Sequence, residues 1–347
     1  MPFVPTMPAR TLAMGWTVPE PPALLPHLAQ AEAEAPFDGL VLTLRNNNQR
    51  AGTQWTLGYN AWHARAERPD SYAQAVKALT TITATAQRYR HNLLDLKCQP
   101  GQADWFSDAA WTVCWHNCTL LAKLAHDTGC VGIFMDTEHY SGGTPFSFLP
   151  TTTTHRDSTK TFAEYQAKVR QRGQEYMQAL QTAFPGLVVL LSMGYSNAYS
   201  VARQALSLAQ SGYGLLPSFL DGMLDATTVP LYDGYEQGYG FLHASHYNSV
   251  LSQFLLGGPV WSLSLRYDDY YQPSFGLWLD YARRWDGTDL TKNYFSPLAW
   301  QATVRLAQRK TFGYVWLYAE RPNWFDGTLP AGYRYTAPVV SFPAPSG

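Results

Sequence analysis

Two acidic side chains stand two residues apart at the end of an apolar run. Residues 131–135 are Val-Gly-Ile-Phe-Met, and Asp136, Glu138 and Tyr140 follow. In a β-strand, residues i and i+2 point to the same side, so the two carboxyls should emerge together where a buried parallel strand ends. Neighbouring like charges raise the pKa of one carboxyl and make it a proton donor. The spacing indicates acid–base chemistry; the alternative is that Asp136 caps the next helix and Glu138 pairs with an arginine.

Apolar strand-like runs alternate with helical patterns from one end of the chain to the other. The predicted strands are 12–16, 39–44, 91–96, 131–135, 187–193, 228–232, 260–265 and 314–318. Eight strand–helix repeats predict an α/β fold, a single (β/α)8 TIM barrel over residues 1–347 with long βα loops. An open doubly wound sheet is the alternative, but neither a G-x-G-x-x-G nor a G-x4-G-K-[ST] phosphate loop is present to favour it.

The carboxyl ends of the strands of such a barrel converge on one mouth, which brings residues that are distant in sequence together. Polar and aromatic groups recur at these predicted ends, with several carboxylates and few cations among them. That combination is typical of a site for a neutral carbohydrate. Besides the two acids of the fourth strand, the candidates are Trp16, Tyr140, Tyr232, Asp233, Glu236, Arg266, Trp316 and Glu320.

The composition limits the possible partners. The 347 residues carry a net charge of −1, which argues against binding to nucleic acid or to an anionic membrane. No stretch approaches the ~20 apolar residues that span a bilayer. The first residues lack the basic and apolar regions of a signal peptide. We therefore expect a cytoplasmic protein, or a periplasmic or secreted one if a leader was removed, and the sequence leaves the oligomeric state open.

The four cysteines are expected to be free thiols. Cys98, Cys114, Cys118 and Cys130 lack the paired spacings of a zinc site, and Cys98 and Cys130 should lie at opposite ends of the sheet. We therefore expect no metal and no cofactor.

Three segments resemble a known enzyme family. Residues 132–140, Gly-Ile-Phe-Met-Asp-Thr-Glu-His-Tyr, resemble the D-x-E-x-Y ending of strand four in family 18 glycoside hydrolases, the chitinases and their relatives. Residues 231–233 are similar to that family's M-x-Y-D, with Leu231 in place of Met, and Trp316 resembles its strand-eight Trp. Only the last Asp and Glu of the family's longer D-x-x-D-x-D-x-E motif are present. Residues 36–39 and 219–222 also resemble uncharacterised bacterial glycosidase-like barrels. The resemblance implies a TIM-barrel glycoside hydrolase.

The predicted function is hydrolysis of an oligo- or polysaccharide by two carboxyl groups at the barrel mouth. Glu138 is the predicted general acid, its pKa raised by Asp136 and by aromatic surroundings. Glu236 is the first choice as nucleophile or base. Asp233 is the second, as the stabiliser of a substrate-assisted intermediate that the resemblance implies, and Glu320 is the third.

Two other functions remain open from the sequence. A barrel can lose catalysis and keep its aromatic cleft, which would leave a carbohydrate-binding protein. Asp136, Glu138 and His139 could instead serve a metal-dependent hydrolase. The presence of both acids after strand four favours the glycoside hydrolase.

Overall fold

A computed structural model describes residues 9–47, 56–99, 104–140, 143–149, 159–205, 207–311 and 313–334. The strands are β1 (Arg10–Gly15), β2 (Gly39–Leu42), β3 (Leu93–Lys97), β4 (Gly132–Asp136), β5 (Val188–Leu191), β6 (Leu231–Asp233), β7 (Tyr271–Pro273), β8 (Phe275–Trp278) and β9 (Tyr314–Ala319). The helices are α1 (Pro21–Leu24), α2 (Leu28–Glu34), α3 (Leu57–Asn60), α4 (Ala73–Thr85), α5 (Asp108–Asp127), α6 (Phe162–Ala183), α7 (Tyr195–Ala205), α8 (Leu216–Ala226), α9 (Ala244–Trp261), α10 (Tyr267–Tyr270) and α11 (Pro297–Arg309). No helix of these described ranges is long and apolar enough to cross a membrane.

The nine strands form one parallel sheet that closes on itself. Their order is β7-β6-β5-β4-β3-β2-β1-β9-β8. β7 pairs with β6, and β8 pairs with β9. β7 and β8 are therefore the two halves of one barrel position, which is interrupted at Ser274. The Ser274 amide donates to the Asp233 carbonyl at 2.7 Å, and its hydroxyl donates to the Tyr314 carbonyl on the other side. The barrel therefore has eight positions, which confirms the predicted TIM barrel.

The predicted seventh strand is wrong. α9 continues to Trp261, and residues 262–266 form the connection that leads to α10 and then to β7. The alternation Val-Trp-Ser-Leu-Ser-Leu over 260–265 has the period of a half-buried strand. Leu263 and Leu265 are instead exposed, and Asp221 anchors the segment by accepting hydrogen bonds from the Ser262 hydroxyl and the Leu263 amide. The segment after β5 contains the helix α7.

Large side chains fill the inside of the barrel. Leu12, Val41, Leu93, Phe134, Leu190, Tyr314 and Trp316 form one buried cluster there. A second and larger apolar core lies between the sheet and the helices. The four cysteines belong to this second core and are free thiols, as predicted. The side chains of the first cluster thus fill the barrel interior, and we call them the plug. The mouth residues lie on top of it.

Gly132 at the start of β4 has no room for a side chain. A Cβ atom there would lie 2.0 Å from the Val188 carbonyl oxygen of β5. Gly132→Ala should therefore lower the free energy of unfolding by at least about 1–3 kcal/mol, the usual cost of overpacking. Gly212→Ala is the matched control because a Cβ there meets nothing within 4 Å. Urea denaturation of both variants measures the difference, and equal stabilities would contradict this close contact of β4 and β5.

Candidate active site

The Asp136 carboxylate, at the last residue of β4, accepts four hydrogen bonds. Lys97 Nζ donates to Oδ2 at 2.9 Å and the Tyr140 hydroxyl at 3.1 Å. The Glu138 amide donates to Oδ1 at 3.0 Å and the Ser192 hydroxyl at 3.3 Å. With both oxygens occupied and the side chain buried, Asp136 is fixed in place. Asp136 is therefore better placed to orient the neighbouring groups than to react with a substrate itself.

Glu138 stands above Asp136 at the mouth and is only partly buried. The Tyr140 hydroxyl also donates to its Oε2, so one tyrosine contacts both acids. Burial and the negative charge of Asp136 raise the pKa of Glu138. The strand alternation thus brings Asp136 and Glu138 to the same place, as the spacing predicts.

Glu236 reaches the same place from the loop after β6. Tyr235, directly before it, has a left-handed backbone with φ 40° and ψ 61°, and a short 3-10 helix spans Glu236–Gly238. The left-handed region is costly for a residue with a side chain, and such strain often marks functional sites. The turn brings the Glu236 carboxyl close enough to Glu138 and Tyr239 for these groups to shift one another's pKa. The structure therefore brings together the two glutamates that the sequence selected.

Each of the two glutamates influences the pKa of the other. Burial, followed by the charges of Glu138 and Asp136, raises the pKa of Glu236 to about 9. Glu138 has the better partners for its ionised form, because Tyr140 donates to it and the charge of Lys97 favours it. Of the two carboxyls, Glu236 is therefore the one whose protonated form is more strongly favoured.

Lys97 supplies the positive charge beneath the acids. Its Nζ lies 2.9 Å from Asp136 Oδ2 and 3.5 Å from Asp95 Oδ2. Burial opposes its charge, but the two carboxylates raise the pKa of Lys97 overall. Burial also raises the pKa of Asp95. The sequence signal for this group was the alternation of Asp95 and Lys97 on β3, which repeats the pattern of Asp136 and Glu138 on β4.

Four aromatic rings form a wall on the β8–β9–β1 side of the mouth. This aromatic wall consists of Trp16, Tyr239, Trp278 and Tyr318. The Trp278 ring centre lies 5.6 Å from that of Tyr239 and 5.8 Å from that of Tyr318, and Tyr239 and Tyr318 stack at 5.9 Å. Trp16 is 68% exposed and follows Gly15, which pairs with Ala319 of β9 next to Tyr318. Sequence reasoning missed Tyr239 and Trp278, the latter because the seventh strand was misplaced.

Glu320 lies on the rim beside this wall. Its Oε1 accepts from the Tyr318 hydroxyl at 3.4 Å, and its Oε2 lies 3.7 Å from Arg283 Nε. These contacts place Glu320 near the wall, as a rim residue rather than as a partner of Glu138.

Trp316, predicted to face the pocket, lies beneath the mouth. It is 1% exposed, packs against Phe134 at 5.1 Å and Tyr239 at 5.3 Å, and donates its indole hydrogen to the Gly234 carbonyl. Its position on β9 points it into the barrel, where the plug covers it. Trp316 therefore supports Tyr239 and has no surface free for a ligand.

Tyr232 and Asp233 also lie away from the acids. The Tyr232 ring packs against Tyr314 inside the barrel, near the strand starts. Asp233 is the next residue along β6 and so points to the helix layer, because side chains alternate across a strand. There it is fully buried and accepts from the Tyr271 hydroxyl at 2.6 Å and the Tyr235 amide at 2.9 Å. Burial raises the pKa of Asp233 to about 6. Its contacts fit an anchor for the loop that carries Glu236.

Arg266, predicted to follow the seventh strand at the mouth, lies before β7 instead. It stacks on Tyr270 at 4.4 Å and donates to the carbonyl of Asp225 near the end of α8. Both contacts are at the amino-terminal side of the barrel. The misplaced strand explains this error as well.

His139, the third residue of the alternative metal site, packs in an aromatic stack. Its ring lies 4.1 Å from that of Tyr213 and 5.8 Å from that of Phe146, and Nε2 accepts from the Phe146 amide. Burial lowers the pKa of His139 to about 4. Among the described residues, no three His, Cys, Asp or Glu side chains are grouped to hold a metal ion. The geometry gives the metal-dependent alternative no support.

Comparisons with known proteins give only distant likenesses. No family model matches the sequence, and no curated protein matches it. A GH18 chitinase from Pseudoalteromonas aurantia aligns over 90% of this chain and 94% of its own, with 10% identity and a TM-score of 0.41. An endocellulase from Pyrococcus horikoshii, in complex with cellotetraose, aligns over 90% of this chain and 84% of its own, with 12% identity and a TM-score of 0.45. At these values neither neighbour identifies a family or an activity for this chain.

The raised pKa of Glu236 predicts a pH-dependent cost to stability. The unfolded chain releases this proton near the ordinary glutamate pKa of about 4.3, whereas the folded protein holds it until about 9. The folded state therefore binds more protons in that window, and stability should fall as the pH rises from about 5 to 9. Glu236→Gln should remove this slope and raise the free energy of unfolding at pH 8 by about 1–3 kcal/mol. Thermal melts from pH 5 to 9 provide the measurement. Parallel pH profiles for wild type and variant would contradict the shift.

Proposed function

We propose that the protein is a glycoside hydrolase in which Glu236 is the general acid and Glu138 is the nucleophile. The supporting observation is that two neighbouring carboxyls at the mouth of a barrel influence each other's pKa, and that the pKa of Glu236 is raised to about 9. Glycosidases need one protonated and one ionised carboxyl on either side of the scissile bond. We assign the protonated form to Glu236 and the ionised form to Glu138.

The roles are the reverse of those that the sequence suggested. A general acid must carry its proton at the working pH, and the pKa of Glu236 is raised to about 9. A nucleophile must be ionised, and the hydrogen bond from Tyr140 together with the nearby charge of Lys97 favours the ionised form of Glu138. Glu236 Oε2 is buried and, among the described residues, accepts no hydrogen bond.

The closeness of the two carboxyls favours retention of anomeric configuration. Retaining enzymes hold them about 5–5.5 Å apart, whereas inverting enzymes need about 6.5–9.5 Å to admit a water molecule. The charge of Glu138 is close enough to raise the pKa of Glu236, and we infer the shorter spacing from this. In the first step a Glu138 oxygen bonds to the anomeric carbon while the glycosidic C–O bond breaks. Glu236 gives its proton to the departing oxygen. In the second step Glu236 takes a proton from water, whose oxygen displaces Glu138.

The substrate that suits this mouth is a neutral oligo- or polysaccharide. The aromatic wall offers flat apolar faces beside hydroxyl groups, and Trp16 leaves most of its surface open. Sugar rings present apolar C–H faces that stack on such rings, and their hydroxyls can bond to Glu320 and Tyr318 at the rim. Asp136 would orient Glu138 through its amide and through Tyr140.

A carbohydrate-binding protein without catalysis is the second candidate. It would use the aromatic wall in the same way, but it would gain nothing from the buried pair of glutamates. Such a pair lowers stability, and proteins keep costs of this kind mainly where function needs them. The pair therefore favours the enzyme.

Paired variants test the two roles. Glu236→Gln should slow hydrolysis of aryl glycosides with poor leaving groups by at least ~10²-fold, but should affect dinitrophenyl glycosides much less, because these leave without a proton. Azide should restore activity and give a glycosyl azide with the anomeric configuration of the substrate. Glu138→Gln should slow every substrate, and azide should give the opposite anomer. The wild-type kcat/KM should decline above about pH 9, a limb that Glu236→Gln should lack.

A broad glycan and aryl-glycoside panel, with the product anomers read by NMR, is the starting assay. If Glu236→Gln gave the opposite azide anomer and no dependence on the leaving group, the roles would be those first suggested by the sequence. If the wild type bound glycans but hydrolysed none of them, the protein would be a binding barrel.

Trp16 and Trp316 should respond differently to truncation. Trp16→Ala removes an exposed platform, so KM should rise roughly tenfold, in line with losing about 1–1.5 kcal/mol of ring contact, with little change in melting temperature. Trp316→Ala opens a cavity in the plug and should cost about 3–5 kcal/mol of stability. Steady-state kinetics and thermal melts on both variants separate the effects. An unchanged KM for Trp16→Ala would remove this residue from the substrate site.

A further inference from the structure

The second half of α9 and the loop after it expose several large apolar side chains. Leu255, Leu256, Val260, Leu263 and Leu265 are each 68–99% exposed, and we call them the α9 patch. Leu256 and Val260, one helical turn apart, line a groove of about 460 Å³ together with Ser249, Ser252 and Trp261. Single exposed leucines are common on protein surfaces, but a cluster of this kind marks an interaction site.

The patch is electrically neutral. Residues 237–265 contain no Asp, Glu, Lys or Arg, although charged residues make up 15% of the chain. Charged groups lie at its edge. Arg170 forms an ion pair with Asp225 and donates to the Leu263 carbonyl, and Arg266 directly follows Leu265. An uncharged apolar centre with a polar rim is the anatomy of a protein–protein interface.

The size of the patch agrees with a standard interface. At about 32 Å² for each CH₂ group, the exposed parts of the five side chains present about 500 Å² of apolar surface. A typical interface buries about 800 Å² on each partner, and in homodimers about 65% of that area is apolar. The two values agree, so the patch could form the apolar centre of one such interface.

We propose that the α9 patch is the two-fold interface of a homodimer. A two-fold axis sets the same patch against itself, so any charge would face its own copy. A neutral patch avoids this repulsion and is complementary to itself.

The dimer would leave the proposed active site open. α9 follows β6 and runs towards the start of β7, so its last turns lie near the amino-terminal side of the barrel. Glu138 and Glu236 lie at the opposite, carboxyl-terminal mouth. The interface is therefore independent of the proposed function, and either can fail without the other.

Leu256→Glu, with Leu298→Glu as its control, tests the interface. Leu298 is 80% exposed on α11 and lies outside the patch, so it matches Leu256 in residue type and exposure. Sedimentation equilibrium of the full chain over a micromolar concentration series should give about twice the 38.9 kDa monomer mass for the wild type. Leu256→Glu should raise the dimer dissociation constant at least ~10²-fold, and Leu298→Glu should leave it unchanged. Circular dichroism checks that both variants are folded.

Three results would overturn the proposal. The wild type could be a monomer throughout the series, or the Leu256→Glu variant could remain a dimer as tight as the wild type. A wild-type monomer that co-sediments with vesicles of neutral phospholipid would assign the patch to a lipid surface instead.

Discussion

The concentration of negative charge at the barrel mouth constrains the protonation of the side chains around it. Asp95, Asp136, Glu138 and Glu236 lie close enough to influence one another, and Lys97 provides the compensating positive charge. One cation cannot neutralise four ionised carboxyls in a partly buried site, so protons must remain on some of them. Burial first, and then the charge of neighbouring carboxylates, raises the pKa values of Asp95, Glu138 and Glu236. A proton held near neutral pH is also what a general acid requires, so the electrostatic cost and the proposed chemistry have the same origin.

Two features of the fold bring these charged groups together: the register of β3 against β4, and one strained turn at Tyr235. β3 and β4 pair so that Lys97 lies beside Asp136, and the alternation along each strand directs Asp95, Lys97 and Asp136 to the same side. Glu236 comes from the other side through the left-handed Tyr235, and Asp233 holds the base of that turn from the helix layer. The interruption at Ser274 lets one barrel position pair with both β6 and β9, which closes the ring beneath these groups.

The sequence predicted the barrel and the central acids, because both depend on local patterns. Strand alternation placed Asp136 beside Glu138, and the position of Glu236 after strand six was enough to select it. Errors arose where the pattern was ambiguous. The alternation over 260–265 imitates a strand, and this misread segment put Arg266 at the wrong end and concealed Trp278. Trp316 and Tyr232 were assigned to the mouth because the type of a residue does not show how deep in the barrel it lies. Which glutamate keeps the proton depends on contacts with Tyr140 and Lys97 that no sequence pattern contains.

Direct titration of the glutamate carboxyls tests the central claim, that Glu138 and Glu236 share one proton near neutral pH. Protein labelled with ¹³C at the glutamate side-chain carboxyl would be followed by NMR from pH 4 to 10, with Glu236→Gln used to assign the signal. We predict one carboxyl resonance that titrates near pH 9 in the wild type and is absent from the variant. Titration of every glutamate close to the ordinary pKa of about 4.3 would contradict the account, because the two groups would then both be ionised at neutral pH.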